Sequence, residues 1–252
     1  MNGRPLLALF IAAIPISVEM GSVPDTTRHD SPLRPHEHQT RLAFAGNAGQ
    51  FAIIRRGCNG EVIDVAHTQL QSGALEVEQI FPNDLVIGAR GGVVSDKPGT
   101  FERPEIPAPA PGWRDNVYFN PYVGVDDRRV SFALGYLHAD HELPMGEDRP
   151  MKPGPTGHLV VRHSSGWVGL RFMEDLPLES EGYLTFETGV HANERVEAAA
   201  FVGMIGPFDG AMFGVKSRIW LTPAAALTLR GGVSGDDEYT FGAGLEARLG
   251  KH

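Results

Sequence analysis

From about residue 40 onward, apolar and polar side chains alternate with a period of two, which places successive residues on opposite faces of a sheet. In 238–249 one row reads Tyr239, Phe241, Ala243, Leu245, Ala247, Leu249, and the other Glu238, Thr240, Gly242, Gly244, Glu246, Arg248. In 211–221 the apolar row is Ala211, Phe213, Val215, Ser217, Ile219, Leu221, against a row holding Gly214, Lys216 and Arg218. Segments around Leu227, Val202, Phe186, Leu170, Phe132 and Phe119 repeat the pattern, as do 84–95 and 73–81, with shorter runs at 40–56 and 61–67. The clearest runs predict strands of 10 to 12 residues. At about 3.3 Å per residue and a tilt near 40°, such a strand rises roughly 28 Å, the height of the apolar band of a membrane barrel.

The links between these runs alternate in length. Reading back from the C-terminus they are 234–237, Thr222-Pro223, 206–209, 191–194, 175–181, Ser164-Ser165, 139–156, Asp126-Asp127 and the Pro-rich 95–115. Outer-membrane barrels alternate short periplasmic turns with longer external loops in this way. The pattern predicts an all-β, antiparallel up-and-down membrane barrel over 39–252, with about 12 strands, 14 if every weak early run counts and 10 if the weakest are dropped. An even number brings both ends of the barrel to the periplasmic side.

The stretch Ile219-Trp220-Leu221-Thr222-Pro223-Ala224-Ala225-Ala226-Leu227-Thr228-Leu229-Arg230-Gly231-Gly232-Val233, followed by Phe241-Gly242-Ala243-Gly244-Leu245-Glu246-Ala247-Arg248-Leu249, resembles the small outer-membrane β-barrel proteins of Gram-negative bacteria as a broad class. The resemblance covers about the last two-thirds of the chain. It implies outer-membrane lipid and the barrel-insertion machinery as partners. Proteins of that class usually end their last strand on an aromatic residue, whereas this sequence ends Leu249-Gly250-Lys251-His252.

Alternation alone also fits a soluble periplasmic barrel that binds an apolar ligand, with the apolar row inside. The polar row decides for the membrane, because Gly203, Gly214, Gly232, Gly242 and Gly244 recur in it beside charges. Glycine weakens a solvated strand for no gain, while in a narrow lumen it makes room for long neighbours. Arg171, Lys216, Arg218, Arg230 and Arg248 then face the lumen with Glu187, Glu197 and Glu246, near balance of sign, as buried charges require. Phe213, Ile219, Leu227, Phe241 and Leu245 face lipid. On this reading Leu245→Arg is costly and Glu246→Gln has only a modest effect. Trp113, Trp167, Trp220, Tyr118, Tyr122, Tyr136, Tyr183 and Tyr239 lie mostly near strand ends, where they read as a partial interfacial girdle; some, such as Tyr183, fall on the polar row, and ordinary barrel packing accounts for any single one equally well.

Composition adds the compartment. The 31 glycines and 19 prolines are scattered as turn punctuation, and the net charge of −9 with no basic cluster argues against nucleic acid. One positive charge at Arg4 followed by the apolar run 6–16 reads as a signal peptide over 1–22, too short for a membrane helix and without a clear small-x-small cut. Residues 23–38 read as a linker. The single Cys58 cannot form an internal disulfide.

Two clusters invite chemistry. His163-Ser164-Ser165 with Glu174 resembles the His-x-Ser of outer-membrane lipid A deacylases, but Gly166-Trp167 stands where that family carries Asn-Ala. The inferred turn separates His163 from Ser165, and Glu174 lies some 30 Å along an extended strand. A lipid hydrolase is therefore the third reading, behind the non-enzymatic barrel and the soluble one. His138, Asp140, His141 and Glu142, like His36 and His38, match no recognised metal spacing, so neither metal nor cofactor is expected. The leading expectation is a non-enzymatic outer-membrane barrel, either a narrow porin-like pore or a structural or surface-interaction protein.

Overall fold

The computed structural model describes residues 39–56, 58–59, 61–97, 99, 112–127, 129–139, 153–172, 182–205, 211–233 and 239–250. The segments read above as signal peptide and linker lie outside them. The described residues form twelve strands: β1 Gln39–Arg56, β2 Val62–Ile80, β3 Leu85–Lys97, β4 Arg114–Asp126, β5 Val130–Ala139, β6 Gly154–His163, β7 Gly166–Phe172, β8 Gly182–Asn193, β9 Val196–Ile205, β10 Ala211–Thr222, β11 Ala225–Val233 and β12 Tyr239–Leu249. Each pairs antiparallel with its neighbours in sequence, and β12 closes on β1 from Thr40↔Leu249 to Gln50↔Tyr239, giving a closed barrel. Closure removes the edge strands that an open sheet of this size would expose.

Two runs expected as separate strands, 61–67 and 73–81, are one continuous β2. Ser72-Gly73 resembles a turn signal, yet Gly73 is paired on both sides, with Gly46 of β1 and Val93 of β3. Backbone groups satisfied by two neighbours leave no reason to turn there. With these two runs in one strand, the barrel has twelve strands, the number the sequence pattern predicts.

Links at one end are short: 81–84, 127–129, 164–165, 194–195 and 223–224. Most are closed by a side chain at the strand end that mimics a backbone acceptor. Asp127 Oδ1 accepts from the amides of Arg129 and Val130, both at 2.6 Å, and Asn193 Oδ1 from the amide of Arg195 at 2.8 Å. Thr222 Oγ1 accepts from Ala224 at 3.2 Å. In 81–84 the Asp84 amide donates to the Phe81 carbonyl, and Asp84 takes φ 63°, the left-handed residue of a three-residue hairpin loop. The barrel ends of β1 and β12 share this short-turn end, and the links at the opposite end are longer.

The alternation sorts cleanly. Phe213 is 61% exposed, Phe241 59% and Leu245 53%, whereas Glu187, Glu197 and Glu246 are 2–4% exposed. The apolar rows thus cover the outside and the charged rows line the inside, the reverse of a lipocalin-like barrel. Inward glycines sit beneath large side chains of adjacent strands: a methyl at Gly88 would overlap the Tyr122 ring, at Gly189 the Trp167 ring, and at Gly214 the Phe201 ring. The tight interior is built from such pairs, one strand supplying volume and the next its absence.

Candidate functional site: the barrel interior

On the short-turn side the inward rows of several strands meet in a charge network. Arg41 of β1 places Nη2 3.3 Å from Glu76 and 3.1 Å from Glu78 on β2. The Tyr122 hydroxyl of β4 lies 2.7 Å from Glu76 Oε1 and 2.9 Å from Glu78 Oε2. Across the seam, Glu246 of β12 bridges Arg218 of β10 at 3.2 Å and Arg248 on its own strand at 3.0 Å. Arg218 also reaches Glu197 of β9 at 3.2 Å, and the Trp220 indole N–H donates to the same carboxylate at 3.2 Å. The Arg248 guanidinium lies 4.3 Å from the Trp220 ring centroid, a cation–π contact. Glu187 of β8 pairs with Arg171 of β7 at 3.0 Å and with Lys216 of β10 at 2.5 Å. Arg162 of β6 closes the short-turn end by pairing with Asp126 at 2.7 Å and donating to the Asp127 carbonyl at 2.8 Å.

Glu76, Glu78, Glu187, Glu197 and Glu246 each meet more than one donor, the condition under which ionised groups persist away from water. The expected inward set of Arg171, Glu187, Glu197, Lys216, Arg218, Arg230, Glu246 and Arg248 lies on inward rows, with Arg230 6.0 Å from the Phe201 ring centroid. Glu246 is no peripheral member, because it joins two arginines from two strands. That placement argues for a larger effect of its substitution than the modest one expected from the sequence. Sequence reasoning missed Arg41, Glu76, Glu78 and Tyr122, although the spacing of Glu76 and Glu78 put both on one face. Of the expected outward set, Phe213, Phe241 and Leu245 are exposed, and Ile219 and Leu227 are half-buried on the same outward rows.

The second feature has no counterpart in the expectation of a polar inward row. On the long-loop side of the network, Leu70 and Ala74 of β2, Val94 of β3, Tyr118 of β4 and Leu137 of β5 pack in one cluster with Phe201 of β9 and Met212 of β10. The two groups stand on opposite walls, since β2 and β10 are separated around the barrel by β1, β12 and β11. Their contact therefore crosses the lumen. Lys216, 5.6 Å from the Phe201 ring centroid, links this collar to the network beneath it.

The aromatic residues divide between girdle and barrel packing. Trp220, Tyr118 and Tyr122 are buried on inward rows, while Trp113, Tyr136 and Tyr239 are exposed at the long-loop end. An aromatic ring near a strand end faces out or in by parity alone, and these three interior rings have the parity of the charged rows.

The turn at Ser164-Ser165 brings His163 and Ser165 together, with His163 Nδ1 3.3 Å from Ser165 Oγ and 3.2 Å from Ser164 Oγ. The turn thus does not separate them as expected, because a two-residue hairpin loop folds its flanks toward each other. Among the described residues no carboxylate bonds to His163, and Glu174 lies outside them. The His138 and Tyr136 rings lie tilted against each other with centroids 4.8 Å apart, and Asp140, His141, Glu142, His36 and His38 are outside the described residues. Cys58 is exposed.

No protein-family model matches this sequence, and no curated protein does. Solved structures do. An outer membrane channel from Pseudomonas putida F1 is 8% identical, with a TM-score of 0.54 over 89% of this chain and 100% of that one. A mutant of the Rh. blastica porin (9% identity, TM-score 0.36, 84% of this chain and 100% of that one) and an outer membrane protein of Acinetobacter baumannii (10%, 0.36, 84% and 99%) overlay less well. At such identities the likeness concerns the fold, and the fold of this chain is a closed, all-antiparallel, twelve-stranded barrel like that of an outer membrane channel.

Proposed function

We propose that this protein spans the bacterial outer membrane as a narrow, porin-like channel with no enzymatic role. The observation that carries the reading is the sorting of the two faces. Large apolar side chains such as Phe119, Val123, Leu134, Leu170, Phe186, Phe213, Phe241 and Leu245 are exposed all round the outside, while the paired charges are inside. In water that outer surface would be an apolar patch far larger than monomeric soluble proteins carry, and in a bilayer it is solvated by lipid tails. The short-turn end then lies in the periplasm, and the aromatic residues Trp113, Tyr136 and Tyr239 stand near the outer headgroups.

The channel reading over a purely structural one is supported by the inward rows, which carry ionised groups of both signs on the short-turn side of the lumen. A barrel that served only as an anchor needs no such lining, and apolar packing would hold it as well. The test is fractionation followed by reconstitution. The protein is expected in the outer-membrane fraction, released only by detergent, and expected to insert into planar bilayers. Recovery in the aqueous periplasmic fraction without detergent would refute the membrane reading, and inserted protein that shows no current under any voltage or pH, in the parent and in variants with a widened lumen alike, would refute the channel.

A further inference from the structure

We infer that the collar of Leu70, Val94, Tyr118 and Leu137 on one wall and Phe201 and Met212 on the other is a hydrophobic gate that holds the channel shut against water and ions. The inference rests on the channel reading above and names the barrier within it. Two independent observations carry it.

The first is placement. Leu70, Val94, Leu137 and Met212 are among the most deeply buried side chains of the described residues, each at most 2% exposed, and all stand on rows that elsewhere carry charges, amides and hydroxyls. An apolar constriction within a polar lumen excludes water by dewetting, and a hydrated ion cannot cross it without shedding its shell. The network beneath does not form a comparable barrier, because its groups are charged and would keep water.

The second observation is that polar groups beside the collar lack partners. Thr68 Oγ1 and Ser72 Oγ flank Leu70 on the inward row of β2, and Asn47 Nδ2 stands opposite Ser72 on β1. All three atoms are sealed from solvent, with no hydrogen bond among the described residues. A buried donor or acceptor left unpaired opposes the state that buries it. Apolar contact across the lumen therefore favours the closed collar, while these three groups gain water partners when it parts. Contributions that oppose one another within one collar are what a two-state element requires, as distinct from a fixed plug.

The experiment uses the full chain in a Cys58→Ser background, with Ala74→Cys placing a thiol inside the collar. Folded protein is exposed to a charged, membrane-impermeant methanethiosulfonate, and parallel samples are inserted into planar bilayers in KCl. The collar is opened from either wall, by Phe201→Ser with Met212→Ser or by Leu70→Ser with Leu137→Ser, so that failure of one pair to fold leaves the other. The expected result is a shielded thiol and a mostly closed channel in the parent. In an opened variant the thiol should react on the order of tenfold faster, and ion current should rise together with it. Inserted variants whose thiol becomes reactive without added current would overturn the gate, because the barrier would then be the charge network. A parent that already conducts steadily would overturn it too. Failure of every form to insert would instead strike the channel reading, and is thereby distinguished from failure of the gate.

Discussion

Leu245 and Glu246 are neighbours in β12 whose side chains point to opposite faces, and substituting each in turn tests the sorting at a single level of the barrel. Leu245 is 53% exposed near the middle of the strand, opposite Phe44 of β1 and Leu227 of β11. An arginine facing lipid at that depth costs about 2–4 kcal/mol, whereas on a solvated strand the same change stays within about 0.5 kcal/mol. Glu246 is 4% exposed, and Glu246→Gln removes the anion that Arg218 and Arg248 share, at 3.2 and 3.0 Å. Breaking a buried pair by removing one partner costs about 3–5 kcal/mol. Arg218 keeps Glu197 at 3.2 Å and Arg248 keeps the Trp220 ring, so the loss should fall near the lower end of that range. The assay is urea-dependent folding into phosphatidylcholine vesicles, with stability taken from linear extrapolation. Adding Arg248→Gln to Glu246→Gln should recover part of the loss, as the coupling term of a double-mutant cycle. The reasoning fails if Leu245→Arg is neutral in vesicles. It fails equally if Glu246→Gln costs under about 1 kcal/mol, which would mean that the charges are not mutually dependent.

Three further outcomes are expected. Gly214→Leu and Gly189→Leu should each destabilise by about 1–3 kcal/mol, because the new side chains meet the rings of Phe201 and Trp167, while Gly231→Ala, with nothing nearer than 3.7 Å, should melt like the parent. His163→Ala and Ser165→Ala should leave folding unchanged, with no fatty acid released from lipid A or phospholipid by either variant or parent. Release by the parent that is lost on Ser165→Ala would revive the hydrolase. At the 127–129 turn, backbone amides of Val130 and Arg129 hold the Asp127 carboxyl below its ordinary range. A carboxyl depressed by folding stabilises the native state above its unfolded pKa, near 3.9, and loses that contribution as pH falls through its folded value. The stability difference between parent and Asp127→Ala should therefore be full at neutral pH and shrink below about pH 4. A pH-independent difference would show that the carboxylate charge plays no part.

The strands were legible because a strand's two faces are written in its own sequence. Glu238 to Leu249 declares one apolar and one polar row without reference to any neighbour, and the short links at Ser164-Ser165 and Thr222-Pro223 are marked by turn residues. Parity likewise put Lys216, Arg218 and Arg230 on one face and Phe213 on the other. Where the sequence misled, the cause was context. The break between the runs 61–67 and 73–81 reads as a link until pairing on both sides keeps β2 extended, and an aromatic such as Trp220 near a strand end fits a girdle until its row is seen to point inward.

Register and distance across the lumen are a different kind of information. No single strand records that Glu246 will lie between Arg218 and Arg248, or that Arg41 will meet Glu76 and Glu78, because those contacts depend on how far each strand slides along the next. The pairing of Gly88 with Tyr122 and of Gly214 with Phe201 depends on the same offsets. The collar lies furthest from the sequence. Leu70, Leu137 and Met212 stand on three separate strands, unremarkable one at a time, and only closure of β12 on β1 turns opposite walls toward each other so that they meet. Local alternation thus determined that there would be a barrel with these two faces. The closed tertiary structure decided what its inside would be, since the contacts there join residues related by geometry and not by sequence.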